Sequence, residues 1–104
     1  MRRILINAET GIVQEIEGKK TGHLPIQVMY DLIGCDMVEH LGLVKGVHLW
    51  VDEEGRLKNG AIVNEKATEY FNKAFPKDKF IYPGGVTTIV GNAIIEDMTK
   101  DGWL

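Results

Sequence analysis

Between Val47 and Asp52 the chain alternates, with Val47, Leu49 and Val51 against His48, Trp50 and Asp52, which is the period of a half-buried strand. Two shorter aliphatic runs, Arg3 to Ile6 and Ile12 to Glu17, are separated by the polar segment NAETG and predict an N-terminal β-hairpin. Helical spacing takes over at Ile26, Met29, Tyr30 and Ile33, which fall at i, i+3, i+4 and i+7. Pro25 stands where a first helical turn tolerates a missing N–H, and Gly34 stops the stripe. Leu32 widens that stripe, while Gln27 and Asp31 are left to face water. A second stripe, Ala67, Tyr70, Phe71, Ala74 and Phe75, begins after Asn64 as N-cap and Glu65 at the positive helix end, and Pro76 ends it.

The remaining segments read as strands and turns. Asp36 to Leu41 is expected to return against Val47–Val51 through GLVKG, in a register that its poor alternation leaves open. DEEGR predicts a hairpin tip with Gly55 at positive φ, after which Leu57 begins a short return strand. KFIY, the loop PGG and the run VTTIVGNAIIED follow, with Gly91-Asn92 read as a bulge within one longer strand in preference to a turn. The segment 98–104 is polar apart from Trp103 and Leu104 and is expected to be loosely held. No repeat or linker divides the chain. The expected architecture is a single α+β domain over residues 1–104, a mostly antiparallel twisted sheet of four to six strands with two helices at about 25–33 and 65–75.

Composition narrows the function classes. An apolar content of 44% is enough for a core without staples, and Cys35, the only cysteine, fits a reducing cytoplasm better than secretion. The apolar run after Arg2 and Arg3 is too short for a signal peptide, and no run approaches the length that crosses a membrane. A net charge of −3, with basic residues scattered among acids, argues against a nucleic-acid binder that works by neutralising phosphates.

The chemical inventory is thin, with no dinucleotide, phosphate-loop, zincin, nucleophile-elbow or paired-cysteine motif. Gly84 and Gly85 precede a strand, not the helix N-terminus that a phosphate cradle requires, so they read as a turn. If the 36–41 and 47–51 strands paired with residue numbers summing to 88, His40 would face His48, with Asp36 and Asp52 farther along the same side. Of the three histidines that could suggest a metal, His23, His40 and His48, that pair is the candidate; since it depends on one register, two ordinary surface histidines are preferred, and neither metal nor cofactor is expected. Cys35 follows a helix C-terminus, whose dipole disfavours a thiolate, and reads as a small core filler.

The carboxylates Asp52, Glu53 and Glu54 lack the alternating oxygen ligands of a calcium loop and read as solvated turn residues or as a recognition edge. By alternation Trp50 and His48 leave the Val47–Leu49–Val51 face, so Trp50 is either covered by a helix or an aromatic anchor. Trp103 is a second candidate anchor. The binding candidates are thus His48, Trp50, Asp52, Glu53, Glu54 and Trp103.

YDLIGCDMVEHL, LWVDEEGRLKN, VNEKATEYF and IVGNAII, over roughly residues 28 to 97, resemble an uncharacterised family of small bacteriophage, plasmid and bacterial proteins known only as a domain of unknown function. The VDEEGRLK turn, Asn64 with Ala67-Thr68, and IVGNA carry the resemblance; His40 and His48 lie outside it. It implies a mobile-element accessory protein and brings no catalytic residues. The leading expectation is a non-catalytic protein that binds a host protein such as a defence or replication factor. The alternatives are a small-ligand binder, for instance an oligomer sequestering a nucleotide signal, and a metal- or thiol-dependent enzyme using His40 and His48 or Cys35.

Overall fold

The strand Ala93–Asp97 is buried at all five positions, including Glu96 and Asp97, and this identifies the centre of the structure. The computed structural model describes residues 1–17, 22–75 and 88–104. Among them, β1 (Arg2–Ile6), β2 (Val13–Glu15), α1 (Ile26–Ile33), β3 (Val38–Gly42), β4 (Val47–Asp52), a 3-10 turn (Gly55–Leu57), α2 (Glu65–Ala74) and β5 (Ala93–Asp97) follow in chain order. The strands form one five-stranded antiparallel sheet of order β2-β1-β5-β4-β3, an α+β architecture. The expected KFIY strand, PGG loop and Pro76 stop lie outside the described residues.

The two helices divide the sheet between them. Met29 and Ile33 of α1 pack with Leu24, Cys35 and Ile94 on one face. Ala67 and Phe71 of α2 pack with Ile4, Ile6, Val47, Leu49, Val51 and Ile95 on the other. β5 is therefore apolar at consecutive positions, because a central strand between two helices must fill both of its faces. Burying Ile94 and Ile95 contributes about 1.5–3 kcal/mol each. The neighbouring buried ion pair, Arg3–Glu96, makes a net contribution near zero.

Local chemistry explains most boundaries. Pro25 precedes α1 and Gly34 closes it at φ 82, donating its N–H to Tyr30 O. Gln27 and Asp31 face solvent and hydrogen-bond each other at 3.1 Å. Ile26, placed on the apolar stripe by its spacing, is instead 55% exposed, because it opens the helix beyond the sheet contact. Asn64 caps α2 by accepting from Ala67 N at 3.0 Å, and its amide donates to Ile6 O and Gly91 O at 3.0 and 2.9 Å. One side chain thus joins a helix start, the end of β1 and the bend before β5.

The structure fixes the open register and corrects other expectations. The β3–β4 pairs sum to 90, not to the 88 that would set His40 against His48, so His40 lies opposite Trp50 and His48 opposite Gly42. Gly46, at φ 84, must occupy the left-handed position of the turn and cannot enter the ladder, which moves the register by two residues and preserves the faces. Gly55 has no positive φ, and the chain after β4 winds into the 3-10 turn, leaving Leu57 84% exposed instead of opening a strand. β4 already has β3 and β5 as neighbours, so it offers no edge for a return strand. Gly55 is small for another reason: a Cβ there would stand 3.2 Å from Val90 O. Finally, Gly91 bends the chain at φ 82 between an isolated Val63–Val90 bridge and β5, so the run is not one bulged strand.

The segment 98–104, expected to trail loosely, is tied to Asp97. Its carboxylate accepts from Thr99 N and Oγ1 at 3.0 and 2.5 Å, and from Trp103 N and Leu104 N at 2.5 and 2.9 Å. Trp103 then packs against Tyr70 on the α2 face.

Candidate functional site

Glu96 is fully buried on the α1 face, and four donors converge on it. Arg3 Nε (2.7 Å) and Leu24 N (3.0 Å) donate to Oε2; Trp50 Nε1 and His23 Nδ1, each at 2.7 Å, donate to Oε1. Burial raises the carboxyl pKa, but the bonds from Arg3, His23, Leu24 and Trp50 outweigh it, and the net shift is downward. The group is a carboxylate and only accepts, so His23 carries its proton on Nδ1 and directs Nε2 elsewhere. Arg3 also donates to Gly22 O, which fixes the chain just before His23.

The elements bring three histidines to this anchor. His40 and His48 come from β3 and β4, diagonal neighbours across the ladder, with His40 Nε2 and His48 Nδ1 2.7 Å apart. One ring must donate and the other accept. His23 enters from the segment before α1, with ring centroids 4.9 Å from His48 and 6.4 Å from His40. Trp50 lies within the group, its ring centroid 4.6 Å from His40 and 5.5 Å from His23. Burial and the neighbouring His40 and His23 lower the His48 pKa, against the opposing pull of Glu96. His23 and His40 are exposed, whereas Trp50 and His48 are half-buried.

The other sequence candidates lie elsewhere. Asp52 shares the sheet face of Trp50 but is turned into the chain beyond β4, where Lys58 Nζ approaches Oδ2 at 2.6 Å and Glu54 N donates to Oδ1 at 2.9 Å. Glu53 and Glu54 are exposed on that turn, which is not a hairpin tip. Trp103 occupies the opposite face, with Lys73 Nζ 4.8 Å above its ring, so the two tryptophans do not form one surface. Cys35 is buried, and desolvation foremost pushes its thiol pKa up, the reverse of what a thiolate nucleophile needs.

Arg3 and Glu96 were not legible as site residues in the sequence, nor was the place of His23 beside them. A charged pair at the end of an apolar strand reads as solvent-facing, whereas IIED here remains inside a sheet covered on both sides. The available signal was the unbroken AII run, which marks a strand with two buried faces and so places the next residues under cover as well.

Among the described residues no helix is long and apolar enough to cross a membrane. The family model described as "Domain of unknown function (DUF3846)" matches residues 1–102. No curated protein and no solved structure matches the chain.

Proposed function

Since the chain belongs to the DUF3846 family, whose description leaves function open, we propose that it is a non-catalytic accessory protein of a phage or mobile element that binds a host protein in the cytoplasm. The observation that carries this reading is Trp50, a half-buried indole whose N–H is held by a fully buried carboxylate and whose ring is flanked by His23 and His40. An aromatic side chain fixed before binding loses little freedom on docking, the property of an interface anchor. His40 and His48 beside it offer ring nitrogens to a partner's carboxylate or carbonyl at the rim.

The test is capture from host extract by the immobilised chain, compared between the natural sequence and a His40→Ala/His48→Ala variant of unchanged melting temperature. The expected result is a specific host protein that the variant no longer retains. Equal retention by both would remove this face from the interaction.

A further inference from the structure

We propose that the Trp50 face is a proton-gated docking surface: on mild acidification His23 and the His40–His48 pair each take up one proton, and the face then receives an acidic segment of a partner protein. This deepens the host-protein reading and rests on it. Among the described residues no group of three histidine, cysteine or carboxylate side chains could hold a metal ion, and what His40 and His48 share is a hydrogen bond.

That bond sets the number of protons. His40 Nε2 and His48 Nδ1 stand 2.7 Å apart, which requires one N–H and one lone pair between them. In the neutral pair one outer nitrogen, His40 Nδ1 or His48 Nε2, is therefore bare. An added proton fills it, and the result is the same whichever ring donates: the inner bond persists and both outer nitrogens carry N–H. A second proton finds only an inner nitrogen left, where it would set two N–H groups against each other and break the bond. The pair thus titrates as one unit. Burial, with His40 and His23 close by, lowers the His48 pKa, so the charge settles mainly on exposed His40.

His23 reaches the same end by another route. Its Nδ1 donates to Glu96 Oε1 at 2.7 Å, and a proton on Nε2 leaves that bond in place. The new charge then lies beside a carboxylate that Arg3, Leu24 and Trp50 hold still. Charged groups of the neighbouring elements are engaged among themselves: Arg3 of β1 with Glu96 of β5, Asp52 at the end of β4 with Lys58, and Asp31 of α1 with Gln27. The Tyr30 phenol of α1 and the Cys35 thiol belong to the apolar cluster that also includes Trp50. Acid therefore turns His23 Nε2, His40 Nδ1 and His48 Nε2 into donors around a half-buried indole without moving the framework. Donors and positive charge around a fixed aromatic ring call for carboxylates on the partner.

Nuclear magnetic resonance of the imidazole carbons and nitrogens in the whole chain, from pH 8 to pH 5.5, counts the protons. His40 and His48 are expected to share one midpoint and take up one proton together, while His23 Nδ1 keeps its N–H throughout. A fluorescein-labelled glutamate-rich peptide, read by anisotropy, is the binding probe. It should bind about tenfold more tightly at pH 6 than at pH 8 and, by reciprocity, raise the pH at which the rings titrate. His40→Gln, on a strand that is an edge among the described residues, should reduce that ratio to about threefold or less, with circular dichroism as the check on folding. If the variant failed to fold, the proton count in the natural protein would still decide. Uptake of two protons by the His40–His48 pair, equal peptide affinity at the two pH values, or an unaltered ratio in folded His40→Gln overturns the proposal. A host protein captured equally at pH 6 and pH 8 overturns the gate and leaves docking standing. Absence of a captured host protein at either pH, with the peptide response intact, strikes the host-protein reading alone.

Discussion

Trp50 Nε1 donates to Glu96 Oε1 at 2.7 Å across adjacent strands, so the most conspicuous aromatic of the chain is held by a carboxylate that solvent does not reach. Trp50→Phe keeps an aromatic side chain but removes the donor together with the five-membered ring that carries it. It should destabilise by about 1–2 kcal/mol, since His23 still serves the same oxygen. Glu96→Gln should cost about 3–5 kcal/mol, because it leaves the buried Arg3 guanidinium beside a neutral amide. Urea denaturation measures both, and equal losses would show that the indole bond, not the ion pair, dominates.

Asn64 should be irreplaceable by aspartate. Asn64→Asp keeps the acceptor for Ala67 N but sets a carboxylate against Ile6 O and Gly91 O, where the amide donates. Both Asn64→Asp and Asn64→Ala are expected to lose about 2–4 kcal/mol. If Asn64→Asp melted like the natural sequence, the residue would be a cap and nothing more.

Acid should loosen the segment after β5. The Asp97 pKa falls from 3.8 to about 2: burial raises it, but the bonds from Thr99, Leu104 and Trp103 prevail. A carboxyl depressed in the folded state stabilises above its unfolded pKa, and that stability, about 2 kcal/mol, disappears as pH falls through the folded value. Denaturation free energy should therefore decline from about pH 4 to about pH 2. Asp97→Asn should be less stable at neutral pH and lose this part of the slope, and an unaltered acid profile would refute the assignment.

Two glycines should respond differently to alanine. At Gly46 the φ of 84 strains any side chain, and the new Cβ would stand 3.3 Å from Thr99 Cγ2, so a loss of about 1–2 kcal/mol is expected. At Gly55 the backbone is ordinary and only a 3.2 Å approach to Val90 O opposes the methyl. Relaxation of the 3-10 turn should keep that loss below about 1 kcal/mol. Thermal melts of the two variants decide the order.

Elements whose signal is local were legible in the sequence. The β4 alternation, the Met29–Ile33 stripe between Pro25 and Gly34, and Asn64 as a cap all appear as read, because each depends on residues within one or two turns. The β3–β4 register was not, because its sign lay in the φ of a single glycine, Gly46, rather than in apolar pattern. Of the candidate site, His40, His48 and Trp50 share a face as alternation requires. His23 and Glu96 lie 73 positions apart, and only the insertion of β5 beside β4 brings them together. No window along the chain contains that relationship.

The sheet order also has a temporal consequence. β1–β2 and β3–β4 are neighbours in sequence, so each pair can close soon after it is made. They become one sheet only when β5 slides between β1 and β4, and β5 is the last strand in chain order among the described residues. During synthesis the two halves must therefore wait, their inner edges unpaired, until residue 97 leaves the ribosome. A chain halted before Ala93 is expected to hold two separate ribbons without a cooperative melt. Release of the final strand, rather than growth of either ribbon, would then set the moment at which the protein becomes itself.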